Sequence, residues 1–296
     1  MENSTCSKEF STASTVVLLI LNGTSGFVTV CGNFLVLMAI VSTPALHVAS
    51  NVFIGSLAAA DFTIGLVMNP IYTVIVARNI TDRKHGLNIA EQFLWIHTVI
   101  TTTFNLAAMS VERYIAVIFP LRYSHVISSR RCLVAVAGIW SFSLSFVCTR
   151  AFVYEAEDLQ TLWIVHSVIA IAFPLCVIAF CYFHIFRAIN KQRRRIQQFQ
   201  RTCLYGFNQN TRSEMNAKAA GTMAIVILFF ILFWTPNIVM TILNFFAKDD
   251  CEEMRIFQIW VWCASVAFVG SSVNPFVYSI RIQGFRLAIK RICCCR

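Results

Sequence analysis

Long apolar runs without charge, separated by short polar stretches, set the rhythm of this chain. Seven runs stand out: Ala13–Val41, Val48–Ala77 with one charge at Asp61, Gln92–Val111, Cys132–Thr149, Leu159–Phe186, Ala219–Ala247 and Ile256–Ile280. Crossing a hydrocarbon core takes about 20 apolar residues in a helix, so the pattern predicts an all-α membrane protein built as a seven-helix bundle. Seven is odd, which places the two termini on opposite sides. After Ile280 the apolar residues Ile282, Phe285, Ile289 and Ile292 recur at helical spacing among basic ones, the pattern of an amphipathic helix lying at the membrane surface. Three segments follow from this reading: an extracellular N-terminal segment at 1–12, a seven-span domain at 13–281, and an amphipathic helix with a cysteine-rich cytoplasmic tail at 282–296.

Composition agrees, with 57% hydrophobic residues, 13% charged ones and a mean hydropathy of +0.68, outside the range of soluble domains. Charge settles the orientation. With the N-terminus outside, the cytoplasmic ends hold 17 of the 24 Lys and Arg residues against Glu112 and Glu214, as the positive-inside rule requires. The net charge of +10 is therefore a signature of sidedness, and it implies no nucleic-acid partner. Connections are short except Arg187–Lys218, whose Lys-Gln-Arg-Arg-Arg at 191–195 predicts basic extensions of the fifth and sixth helices. The first fifteen residues lack the basic lead of a cleavable signal peptide, so the first span serves as an uncleaved anchor. Asn3 and Asn79 sit in glycan acceptor patterns on the outer side, whereas Asn22-Gly-Thr falls within the first span. Cys293, Cys294 and Cys295 end the tail helix beside basic residues, a setting for S-acylation; more than one acyl chain would anchor it firmly to the bilayer.

Ionisable groups inside a span cost at least about 2.5 kcal/mol each, so they mark function by default. Asp61 is such a group. Pro174, Pro236 and Pro275 interrupt the fifth, sixth and seventh runs, each removing a backbone hydrogen bond and creating a kink. Trp234 precedes Pro236 by two residues, so displacement of its ring could swing the sixth helix. Arg113 lies at a membrane edge beside Glu112, where an ion pair can hold a resting state.

Several motifs fall in order, each in its own span: Gly32-Asn33 in the first, Ser56 to Asp61 in the second, Glu112-Arg113-Tyr114 in the third and Trp140 in the fourth. Pro174 and Tyr182 follow in the fifth, Phe230 and Phe233-Trp234-Thr235-Pro236 in the sixth, and Asn274-Pro275-Phe276-Val277-Tyr278 in the seventh. On these residues the chain resembles the rhodopsin-like (class A) G protein-coupled receptors over essentially its whole length. The resemblance implies a plasma-membrane receptor without catalysis of its own. It would bind an extracellular small molecule or short peptide and engage a heterotrimeric G protein, and also arrestin, from the cytoplasm. It gives the switch to Glu112, Arg113, Tyr114, Tyr182, Trp234, Pro236, Asn274, Pro275 and Tyr278. A sodium-binding polar pocket is implied at Asn33, Asp61, Thr102 and Ser271 with Asn274, and no other cofactor. The implied ligand pocket is Trp95, Val99, His166, Trp234, Asn237, Thr241, Ala264 and Phe268.

Departures from the family pattern refine this. Where relatives hold Arg113 with an acid on the sixth helix, this chain has Asn216, with Glu214 two residues away; signalling without agonist is therefore expected. Gly270 stands where an Asn is common. Trp95 occupies the place of the aminergic Asp, which argues against a biogenic amine bound in the usual way. No Lys lies between Lys248 and Lys290, so a retinal Schiff base is impossible. Asn88 replaces the usual third-helix Cys, a lack shared with melanocortin and lysolipid receptors, and a Cys6–Cys251 bridge would resemble the melanocortin arrangement. Pro174 and Asn274-Pro275 depart from that branch, and Thr241 departs from the adenosine-like one. The alternatives are a constitutively active or non-signalling receptor-like protein and, in a different class, a transporter. A transporter needs a continuous polar path, for which one mid-span carboxylate is too little.

Overall fold

A computed structural model of the chain describes residues 10–80, 85–152, 156–202, 211–247 and 249–294, with backbone only at 156–160, 193, 195–202, 211–216 and 250. Among the described residues seven helices are long and apolar enough to cross a membrane: Thr12–Ser42, Ala49–Ala77, Gly86–Ile118, Ser129–Phe152, Thr161–Gln192, Ala217–Phe245 and Cys251–Arg281. These are the first to seventh spans. A short loop helix, Tyr123–Val126, joins the third to the fourth, and a tail helix, Gln283–Cys294, follows the seventh.

The spans run past the apolar runs because polar residues cap them. Ser11, His85, Ser128 and Asp249 each accept a hydrogen bond from a backbone N–H of the first turn, satisfying donors that a helix start leaves free. One extension corrects the sequence reading in substance. The third helix begins at Gly86 and not at Gln92, so Glu91 lies inside it and is only 8% exposed. The fifth and sixth helices extend to Thr202 and back to Thr211, as the basic segment between them predicts.

Two spans contain π turns, Ile64–Met68 in the second and Val168–Ala172 in the fifth. Each is followed within two residues by a proline, Pro70 and Pro174. A proline ring clashes with the carbonyl four residues earlier, here that of Leu66 and of Ala170. Widening the turn at that carbonyl relieves the clash while the helix continues.

In lipid, helices associate by close packing rather than by a hydrophobic drive, and small residues allow it. A Cβ on Gly32 would stand 2.9 Å from Cγ of Pro275, so glycine lets the first span meet the seventh at its kink. At Gly270 a Cβ would stand 3.1 Å from Cβ of Phe233, which gives a packing reason for glycine at this position. Trp140 Nε1 donates to Ser56 Oγ at 2.9 Å and ties the fourth span to the second. The third span is the most enclosed and the fourth the least, while Phe27, Phe186 and Leu232 face outward as a lipid-facing surface would. On the tail helix, Phe285 and Ala288 are buried, Ile282, Ile289 and Ile292 pack beside them, and Arg286 and Lys290 point away.

Candidate functional site

At the end of the third span Arg113 Nε and Nη2 both donate to the carboxylate of Glu112, the latter at 2.6 Å. Glu112 is 2% exposed. A third donor closes the group: the hydroxyl of Tyr123, on the loop helix, reaches Glu112 Oε1 at 2.5 Å. Burial and the adjoining carboxylate raise the Tyr123 phenol well above its ordinary value, so it remains a donor. Tyr123 carries no motif; its place ten residues past Arg113 in a loop gave the sequence no reason to single it out.

The other switch tyrosines stand apart from this pair. Tyr114 packs its ring 6.0 Å from those of Phe119, Phe180 and His184. Tyr182 donates to the Ala220 carbonyl at 3.3 Å, linking the fifth and sixth spans. Tyr278 is fully buried against Phe285 of the tail helix, ring centroids 6.0 Å apart, and its hydroxyl has no hydrogen-bond partner. The side chains of Glu214 and Asn216 lie outside the described residues.

Midway along the bundle Asp61 is 1% exposed and accepts from Asn274 Nδ2 at 2.8 Å. Asn33 Nδ2 donates to the backbone oxygens of Thr29 at 3.0 Å and Ser271 at 3.2 Å. Asp61 Oδ1, Asn33 Oδ1 and Thr102 Oγ1 are buried with no hydrogen-bond partner. Buried polar atoms are normally paired, so these three oxygens, one each from the second, first and third spans, stand out as unsatisfied. The third and fourth spans share another polar contact, unmarked by any motif. His97 hydrogen-bonds to Ser143, which also accepts from Thr101 at 3.1 Å.

Toward the opposite end the rings form a continuous stack. Trp234 lies 5.5 Å from Phe230 and 5.4 Å from Trp95, and Trp95 lies 5.2 Å from Trp260. Phe268 closes the group, 6.1 Å from Trp95 and 5.2 Å from Tyr72. Val99, Ala264, His166 and Asn237 are buried, His166 with its ring 6.0 Å from Phe146 and 5.7 Å from Trp163, and Thr241 donates to the Asn237 carbonyl at 3.0 Å. His166 Nε2 and Asn237 Nδ2 have no hydrogen-bond partner. Beyond this stack a cavity of about 40 Å³ opens between Tyr72, Glu91, Trp260 and their neighbours. Glu91 escaped the sequence reading because it lay just outside the apolar run that began at Gln92.

An Arg–Glu pair thus closes the third of seven spans, an Asp–Asn bridge is buried between the second and seventh, and a Trp stands two residues before a proline inside the sixth. The family model described as "7 transmembrane receptor (rhodopsin family)" matches residues 32–278. The chain belongs to this family. It is a receptor of the rhodopsin-like G protein-coupled class, a multi-pass membrane protein and not an enzyme. The receptor is 28% identical to melanocortin receptor 5 of Mus musculus, the match covering 92% of this chain and 82% of that one. It is 26% identical to trace amine-associated receptor 9 of Rattus norvegicus, covering 98% and 91%. Squid rhodopsin superposes with a TM-score of 0.80 at 20% identity, over 97% of the receptor and 89% of the opsin chain, a likeness of fold.

The remaining sites are at the periphery. Cys293 and Cys294 are exposed at the end of the tail helix, while Cys295, Asn3 and Cys6 lie outside the described residues. Cys251 is disulfide-bonded. Asn79 is half-buried and adopts φ 49°, a left-handed conformation that Asn tolerates better than most residues. Asn22 is 1% exposed and donates to Leu18 O at 2.9 Å and Ser265 Oγ at 3.0 Å.

Proposed function

We propose that the receptor binds an extracellular small molecule or short peptide and activates a heterotrimeric G protein by releasing Arg113 from Glu112. The observation that carries this reading is the closed group of Glu112, Arg113 and Tyr123. A carboxylate buried with two donors holds the guanidinium in one of two arrangements, and a ligand need only favour the other by its differential affinity. The N-terminus lies outside and the Arg113 end faces the cytoplasm, as the distribution of Lys and Arg supports. The stack from Trp260 through Trp95 and Trp234 to Phe230 connects the outer cavity to the Pro236 kink, so ring displacement above moves the sixth helix below. Similarity to receptors named for melanocortin and for trace amines supports an extracellular ligand without choosing its class.

A sodium ion held by Asp61, with oxygens of Asn33, Thr102 and Ser271, favours the resting state; the orphaned buried oxygens support this. Cys251 pairs with Cys6, Asn3 and Asn79 carry glycans, and Cys293, Cys294 and Cys295 carry acyl chains that hold the tail helix to the bilayer. Arrestin engages the same cytoplasmic face.

Expression with a panel of G protein sensors tests the central claim. Signal above mock-transfected cells is expected at baseline, and Arg113→Ala should abolish it at equal surface expression. A baseline equal to mock, or an undiminished signal in the variant, would overturn the transducer role of Arg113.

A further inference from the structure

Three observations converge on the outer cavity. Glu91 lines it from the third span, is 8% exposed, and its Oε1 has no hydrogen-bond partner. The other unpartnered polar atom on the wall, Asn79 Oδ1, is also an acceptor. The rest of the wall is aromatic, at Phe10, Tyr72, Phe257 and Trp260, and aliphatic, apart from Asn88, whose Nδ2 donates to Ile80 O at 3.1 Å. The Tyr72 hydroxyl is already engaged, donating to Val261 O at 2.9 Å, so it offers Glu91 nothing.

A buried carboxylate oxygen without a partner is costly, and beside Glu91 Oε1 the wall sets a second free acceptor and several ring faces. What it fits is a donor that is also a cation. An alkylammonium brings three N–H donors and a charge that ring faces attract. A cavity of about 40 Å³ has room for roughly three waters, the size of such a head group.

We propose that this cavity binds the ammonium head of the receptor's activating ligand, with Glu91 as its counter-ion. The inference rests on the ligand-activated reading above and names the chemistry of the ligand. Trp260 belongs both to the cavity wall and to the stack that reaches Trp234, so a head group seated on Glu91 touches the first ring of the path to the Pro236 kink.

The test uses the full-length receptor in phosphatidylcholine nanodiscs and a series of probes: butylammonium and 2-phenylethylammonium, their isosteric alcohols, and N-acetyl-lysine amide with N-acetyl-norleucine amide as its neutral partner. Thermal unfolding and G protein activation are read in parallel. Ammonium probes are expected to raise the melting temperature and the neutral partners to leave it unchanged. Response to the free amines alone identifies a small amine, and response to the lysine amide as well identifies a basic peptide side chain. Glu91→Gln should weaken the ammonium effect at least about tenfold with its own ligand-free melting curve intact, and Trp260→Leu should weaken it also. If no ammonium stabilises the receptor beyond its neutral isostere, or if Glu91→Gln binds equally, the proposal is overturned. Stabilisation without G protein activation leaves the ammonium site standing and counts against the signalling reading instead.

Discussion

The ring of Trp95 lies 5.4 Å from that of Trp234, so the third span braces the sixth two residues before Pro236. Trp234 is held on its other side by Phe230, stacked at 25°. Removing the Trp95 ring leaves a void beside Trp234 and one fewer constraint on the kink. Trp95→Ala is expected to destabilise the fold by about 3–5 kcal/mol, as deleting a buried Trp does, with a lower melting temperature, and to raise agonist-free signalling. A sensor baseline equal to wild type at matched expression would count against the brace.

Tyr123 supplies a hydrogen bond to the Glu112 carboxylate, a class of bond worth about 1.5–3 kcal/mol. Tyr123→Phe should therefore shift the resting equilibrium toward free Arg113 by about tenfold or more and increase the baseline. Because the phenol is raised above its usual value of 10.0 when folded, its contribution is complete below pH 10 and fades only as pH climbs through the higher folded value. The Tyr123→Phe effect should thus be constant from about pH 6 to 9, which a sensor titration can check.

Replacing external and internal sodium by choline is expected to raise the baseline of the wild-type receptor in permeabilised membranes. In Asp61→Asn the same exchange should change nothing, since the charge that holds the ion is gone. Equal sodium sensitivity in both proteins would place the ion elsewhere.

Burial sets one of the three glycan patterns apart. Asn22 is buried between helices with its amide nitrogen engaged twice, so Asn22→Gln should leave the glycosidase-sensitive gel shift unaltered. Asn3→Gln and Asn79→Gln together should abolish that shift.

Much of this architecture was legible in the linear pattern, for a physical reason. Lipid demands long charge-free runs, so the seven spans announced themselves, as did the amphipathic tail face from Ile282 to Ile292. Asp61 meets Asn274 as the family resemblance implied, and Glu112 holds the neighbouring Arg113. What stayed hidden depended on where helices begin and on contacts across loops. Glu91 looked like an outer-loop charge because charge itself was used to mark the end of a span; the helix in fact starts at Gly86 and carries it inward. Tyr123 reaches Glu112 through a chain reversal that no periodicity encodes. Of the expected pocket positions, Trp95, Trp234 and Phe268 join one aromatic cluster, while the cavity is lined by residues the sequence did not single out, Glu91, Tyr72 and Trp260 among them, because the indoles fill the centre.

The π turns at Ile64–Met68 and Val168–Ala172 also bear on how this receptor is compared with its kin. Each inserts one residue into the count between the inner motifs and the outer third of its helix, so Tyr72 stands where an unbroken helix would place Ile71, and His166 is displaced likewise relative to Pro174. Equivalences drawn by tallying positions from Asp61 or from Pro174 therefore drift by one residue, about 100° of azimuth, in a relative that lacks the bulge. Correspondence between outer cavities is better drawn from superposed backbones than from alignment columns, and a homologue could preserve every inner motif while presenting a chemically different mouth.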